Sequence, residues 1–224
     1  MPIFQLNDTI EFPHPDQAED NGLLAVGGDL SVPRLLSAYS QGIFPWYSEN
    51  EPPLWWFTDP RLVIFPHEFH ISKRLARTLR NTDFRTTIDA DFSQIIKSCA
   101  AIRIQKDEGT WISPEMTEAY IALHHEGYAH SVECWQGDKL AGGLYGVQIG
   151  NVFFGESMFT KISNASKVAL VALMEYVREQ NIQLIDCQMT TSHLLSFGAR
   201  EISGAKFSSL LKRCIRAPSK ITNS

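Results

Sequence analysis

No run of apolar residues in this 224-residue chain approaches the roughly 18 that a membrane-spanning helix needs, so no membrane partner is expected. The opening stretch, MPIFQLNDTIEFPHPD, has neither the basic nor the apolar region of a secretory signal, and a cytoplasmic location is expected. The four cysteines, at 99, 134, 187 and 214, form no C-x-x-C pair and no tight framework. Reduced thiols are therefore favoured over disulfides or zinc. Residues 124–130, HHEGYAH, miss the pattern H-E-x-x-H because Ala129 stands where the second histidine belongs, and no metal is expected. G-x-S-x-G and the P-loop are both missing. The AGGLYG of 141–146 is not G-x-G-x-x-G, and its glycines fall inside a strand pattern, where they mark a bulge or a close backbone approach. Positive charge is also in deficit. Twenty Lys and Arg face 25 Asp and Glu, for a net charge of −5, which argues against non-specific coating of nucleic acid.

What is present reads as a globular α/β chain, 44% hydrophobic and 20% charged, long enough for one large domain or two small ones. The first 60 residues are irregular and rich in Pro, Gly and Trp, with one clear helix. Ser31 caps it, Pro33 occupies its first turn, and Gly42 stops it. The aperiodic SENEPPLWWFTDP marks a boundary between a small N-terminal α+β unit, 1–60, and a main domain, 61–207, followed by a C-terminal helix and tail, 208–224. The main domain begins with the strand LVIF, a helix over 73–80 capped by Ser72, the strand FRTTI and a helical DFSQIIKSCAAI. Ser113-Pro114 opens another helix, which ends at Gly127. AHSVECW, KLAGGLYGVQI and NVFFGESMF then read as an antiparallel meander joined by QGD and GN. A long helix, ASKVALVALMEYVREQ, and the strand IQLIDCQ follow. Strand, helices, meander, long helix, strand is an order that resembles the GNAT acyltransferase fold.

Four features invite a chemical reading. Lys73, Arg77 and Arg80 recur at helical spacing with no acid in their run, which gives either a solvated face or a stripe for phosphates. Trp46 and Trp111 stand in loop-like contexts, where a tryptophan offers a stacking face for a base instead of core packing. Leu170, Leu173, Met174 and Val177 share one helix face, which is either core or the wall of an apolar pocket. The strand LIDCQ ends in polar residues. Alternation puts Asp186 and Gln188 on one face and Cys187 on the other, and it groups Glu156 with Phe154 and Met158 on the preceding strand. Asp186, Gln188 and Glu156 form either a buried polar network or a working site, and spacing alone leaves both open.

Ten segments stand in one order and spacing: NGLLAVGGDLS, AYSQGIFPWY, LWWFTDPR, HIS, GTWIS, AHSVECW, GGLYGVQIG, FFGESMF, NASK and LIDCQ. From about Phe12 to about Phe207 the chain resembles the leucyl/phenylalanyl-tRNA–protein transferase family. The resemblance implies an enzyme that moves Leu or Phe, and Met to a lesser extent, from a charged tRNA to the α-amine of proteins that begin with Arg or Lys. The new N-terminus marks them for N-end-rule degradation. It implies no cofactor and a monomer. Trp46 and Trp111 would hold the 3′ adenosine. Phe153, Gly155, Met158, Leu170, Leu173 and Val177, with Leu144 nearby, would surround the transferred side chain. Asp186, Gln188 and Glu156 would form the catalytic set, and Lys73, Arg77 and Arg80 would hold tRNA phosphates. Leu144, Leu173 and Val177 stand where the family commonly carries larger or more flexible residues, so a reshaped pocket is expected. Asp186→Ala is expected to leave the fold intact while cutting transfer. Two rivals remain. An acyl-CoA enzyme would need glycine before the long helix, where this chain reads TKISNASK. An adaptor that only binds would have no use for the three polar residues.

Overall fold

The structure, a computed structural model, describes residues 3–105 and 111–216. The first two residues of GTWIS and the expected tail beyond Arg216 lie outside them.

The N-terminal segment contains more regular structure than its composition suggests. Strands β1 (Phe4–Leu6), β2 (Leu23–Gly27), β3 (Phe44–Pro45) and β4 (Leu54–Trp56) form a four-stranded sheet in the order β1-β2-β4-β3. These strands have two to five residues each, too few for alternation to show. Helix α1 (Val32–Ser40) follows Ser31 with Pro33 in its first turn. Ser31 makes no side-chain cap; its own N–H donates to Asp29 Oδ1 at 2.8 Å. Gly42, at φ 78°, turns the chain out of the helix, and a Cβ there would lie 2.5 Å from the Phe207 ring.

The main sheet has seven strands. They are β5 (Arg61–Ile64), β6 (Phe84–Ile88), β7 (Ala129–Gln136), β8 (Lys139–Ile149), β9 (Val152–Thr160), β10 (Leu184–Gln188) and β11 (Arg200–Ile202), in the order β11-β5-β10-β9-β8-β7-β6. The expected meander is β7, β8 and β9, antiparallel throughout. Helices α2 (Lys73–Asn81), α3 (Phe92–Gln105), α4 (Pro114–His125), α5 (Ala165–Glu179), α6 (Ser192–Leu195) and α7 (Gly204–Arg216) complete the fold. The mixed α/β order is the one that suggested a GNAT-type acyltransferase. Helix α5 covers one face of the sheet, packing Val168, Leu170 and Leu173 with Phe153, Leu144 and Ile185. The opposite face packs Phe154, Tyr145 and Val63 against α3 and α4, and that core continues without a break into Leu24 and Trp55 of the first sheet.

Strands β9 and β10 are parallel, joined through α5, but they pair only from Leu184↔Val152 to Asp186↔Phe154. Beyond that point both carry a bulge. Tyr145 faces Ser157 and Gly146 faces Gly155, which leaves Glu156 as the extra residue. Val63 faces Asp186 and Leu62 faces Gln188, which leaves Cys187 over, and Gln188 takes φ 56°. A bulge shifts side-chain alternation by one. Phe153 and Met158 therefore both lie on the α5 face, and Phe154 and Phe159 on the other. This corrects the grouping of Phe154, Glu156 and Met158 that strict alternation gives. The glycines of 142–146 sit at close approaches, as expected: a Cβ would lie 2.7 Å from Ala165 Cβ at Gly142, 2.5 Å from Ile95 Cδ1 at Gly143 and 2.3 Å from the Phe154 carbonyl oxygen at Gly146, and the β7–β8 register shifts beside Gly142.

Candidate active site

The splay between β9 and β10 opens a cavity of about 360 Å³. Its lining comes from both faces of the sheet. Leu144, Phe153, Met158, Leu170, Leu173 and Ile185 form an apolar part beside α5. Phe44, Trp46, Trp111 and Tyr145 form an aromatic part on the opposite side. Gly155, Glu156, Ser157 and Gln188 stand at the seam. The bulges cause this arrangement, because they release the strands from each other and turn polar groups into the gap.

Trp46 is 39% exposed, and its ring leans against Trp56 at 5.7 Å. The Trp56 indole donates to the Trp46 carbonyl at 2.6 Å, which fixes the loop that presents it. Trp55 is buried and donates to Gly27 O at 2.8 Å.

The two acids of the seam have opposite surroundings. Asp186 is fully buried and does not line the cavity. Arg61 donates to it through Nε to Oδ1 at 2.8 Å and Nη2 to Oδ2 at 2.6 Å, a bidentate pair. The guanidinium also donates to Gly42 O at 2.8 Å and lies over the rings of Phe207, Phe44 and Phe57 at 4.5, 4.9 and 5.6 Å. Asp186 Oδ1 accepts the Gln188 backbone N–H at 3.0 Å and so holds the left-handed turn of the bulge. Its removal would leave a buried cation without its partner, so the expectation that Asp186→Ala leaves the fold intact is not supported by this geometry.

Glu156 lines the cavity. Its Oε1 accepts from Tyr39 Oη at 2.7 Å and from Gln188 Nε2 at 3.1 Å, and its Oε2 accepts from Tyr120 Oη at 3.1 Å. The two tyrosine hydroxyls also bond each other. Burial pushes the Glu156 carboxyl up to about 7, against the lowering hydrogen bonds of Tyr39 and Tyr120 and with a further raising effect from the Asp186 charge. Cys187 also lines the cavity and does not point away from it. Burial pushes its thiol far up, with Asp186 adding to the effect, which makes it a poor nucleophile.

Val177 is fully buried on α5 and does not reach the cavity. Its small size is therefore absorbed in the core, and Leu144 and Leu173 alone of that trio shape the pocket. Lys73, Arg77 and Arg80 are exposed on α2, away from the lining, and pair with no acid among the described residues. Ser72 caps that helix by accepting from Leu75 N–H at 3.2 Å. The segment before α2 is tied to the cavity rim. Phe69 stacks on Phe197 at 5.4 Å and His70 N–H donates to Phe197 O at 2.9 Å, just after α6, which supplies His193 and Leu194 to the lining. Tyr39, Tyr120 and Arg61 escaped the sequence reading because nothing in local spacing links them to Glu156 or Asp186. Among the described residues no group of three or more His, Cys, Asp or Glu is placed to hold a metal ion.

The family model described as leucyl/phenylalanyl-tRNA protein transferase matches residues 63–212, and its N-terminal domain model matches 28–59. The chain belongs to the leucyl/phenylalanyl-tRNA–protein transferase family. It is an aminoacyltransferase. The leucyl/phenylalanyl-tRNA–protein transferase of Desulfotalea psychrophila is 59% identical over 92% of this chain and 91% of its own length. That of Syntrophobacter fumaroxidans is 56% identical over 94% and 90%. Among solved structures, FemX matches at 11% identity with a TM-score of 0.49, over 81% of this chain and 71% of its own, a level that adds nothing to the topology above.

Proposed function

We propose that the cavity receives the aminoacylated 3′ end of a tRNA and that the enzyme transfers Leu or Phe, and Met less readily, to the α-amine of a protein beginning with Arg or Lys. The observation that supports this is the two-sided cavity. An apolar chamber suited to a hydrocarbon side chain meets an aromatic one suited to a nucleoside, with a hydrogen-bonding seam between them. Trp46 and Trp111 hold the terminal adenosine by stacking. Leu144, Phe153, Met158, Leu170 and Leu173 enclose the amino-acid side chain. Such a pocket separates side chains by only about 1–3 kcal/mol per methylene, so Met leaks through. The exposed cations of α2 hold tRNA phosphates.

The reaction is downhill from an ester to an amide, and its demand on the protein is geometric. Holding amine and ester in attack position is worth roughly 7–11 kcal/mol in favourable cases. Gln188 directs its Nε2 to Glu156, which leaves its carbonyl oxygen to accept from the incoming amine. Asp186 acts as a positioning residue, keeping the Gln188 backbone in place with Arg61 behind it. A single chain in the cytoplasm, marking its targets for degradation, is the setting this reading implies. The test uses the purified full chain, tRNA charged with labelled Leu or Phe, and peptides differing only in their first residue. Label on Arg- and Lys-initiated peptides and none on an Ala-initiated one is the expected result. Tight tRNA binding without any transfer would favour the adaptor instead.

A further inference from the structure

Glu156 meets more hydrogen-bonding contacts than the protons around it can serve. Tyr39 to Glu156, Tyr120 to Glu156 and Tyr39 to Tyr120 close a ring of three contacts. Two phenol protons are available to fill it, and burial first, then the Glu156 charge, raises both phenols well above their usual range, so they keep those protons. With Glu156 ionised, one contact of the ring has no hydrogen. With Glu156 protonated, the carboxyl supplies the third and the ring closes. Gln188 Nε2 donates to Oε1 from outside the ring and does not alter the count. The remaining charged neighbour, Asp186 on β10, is paired with Arg61 and brings Glu156 no proton. Tyr145 on β8 stands edge-on to Tyr120 at 5.7 Å, and no Lys, Arg or His among the described residues pairs with Glu156. A cavity-lining carboxylate whose surroundings lack one proton is built to receive one.

We infer that Glu156 is the proton acceptor of the transfer reaction, with Tyr39 and Tyr120 as positioning residues that hold the accepted proton. This rests on the transfer reading of the same cavity. The acceptor's α-ammonium gives one proton to the Glu156 carboxylate. The neutral amine attacks the ester carbonyl carbon, the C–N bond forms, and the ester C–O bond breaks. The nitrogen's second proton leaves on the ribose oxygen as a hydroxyl, and Glu156 returns its proton to water before the next turnover. An acceptor that titrates near the working pH is well matched to this task.

Glu156→Gln separates catalysis from architecture, because its amide N–H supplies the missing hydrogen and closes the ring. The experiment measures single-turnover transfer from Leu-tRNA to an Arg-initiated peptide across pH, on the full chain, with melting curves alongside. The unaltered enzyme is expected to show a rising limb near pH 7 that stays in place when the peptide's α-amine pKa is changed. Glu156→Gln is expected to melt no lower at pH 7, to lose about a hundredfold or more in rate, and to lose that limb. Tyr39→Phe and Tyr120→Phe each remove a donor to the carboxylate and should move the limb to higher pH with little change in peptide KM. Wild-type rate and limb in Glu156→Gln would overturn the inference while leaving the transfer reading in place. If that variant melts early, an unmoved limb in both Phe variants overturns it equally. An unaltered chain that transfers nothing would instead overturn the transfer reading.

Discussion

Asp186 and Glu156 are both acids on adjoining strands, and their neighbours divide the work between them. Asp186 faces a fully buried guanidinium, whereas Glu156 faces phenols and an amide. Breaking a buried pair by removing one partner costs about 3–5 kcal/mol, so Asp186→Ala should lower the urea midpoint as well as the transfer rate. An unchanged midpoint would return Asp186 to a purely chemical role. Glu156 carries a different stability signature. Its folded value lies near 7, above the ordinary 4.5, so between these values the folded state binds more protons than the unfolded one. Its contribution is therefore most favourable below about pH 4.5, declines as pH rises to about 7 and stays low above that. Glu156→Gln should accordingly gain melting temperature over the unaltered chain at pH 8 and gain less at pH 5.

At the scale of elements, α2 and the two bulges were legible to different degrees. The i, i+4, i+7 recurrence of Lys73, Arg77 and Arg80 put them on one helix face, and α2 presents them there, exposed. Charge reversal at Arg77 and Arg80 should weaken tRNA binding and flatten its dependence on salt by roughly 0.7–0.9 in log–log slope per lost phosphate contact. The acceptor preference should be unchanged. An unaltered salt slope would leave the stripe as a solvated face. The bulges were not legible. Period-two reading assumes an unbroken strand, and one extra residue reverses every assignment after it. That is how Met158 came to be grouped with Phe154. Cys187 keeps the face that alternation gives it beside Ile185, and it lines the cavity because the cavity draws on both faces of the sheet. The short strands of the first sheet escaped for a simpler reason, since two to five residues carry no period.

At the scale of the whole molecule, one of the two core clusters runs across both sheets. Phe207 on α7 is fully buried beside Phe57, under the Arg61 guanidinium and against the turn at Gly42. Phe207→Ala should therefore destabilise the chain by about 3–5 kcal/mol in a single cooperative urea transition monitored by both far-UV signal and tryptophan fluorescence. Two separate transitions would mean that the N-terminal segment and the main sheet fold independently. The same continuity carries Tyr39 from α1 to Glu156 on β9 and to Tyr120 on α4, so the site draws on the N-terminal segment for its hydrogen bonding.

The sequence by itself determined the order of the main elements, the caps at Ser72 and Ser113, and the apolar face of α5, because these follow from spacing along one short stretch of chain. Ordered motifs likewise carried the family. Only the tertiary structure decided what each polar group meets. Arg61 and Asp186 are 125 residues apart, and Tyr39 and Glu156 are 117 apart. No local period encodes such pairings, and it is the partner, not the residue type, that makes Asp186 a buried strut and sets Glu156 among phenols at the cavity.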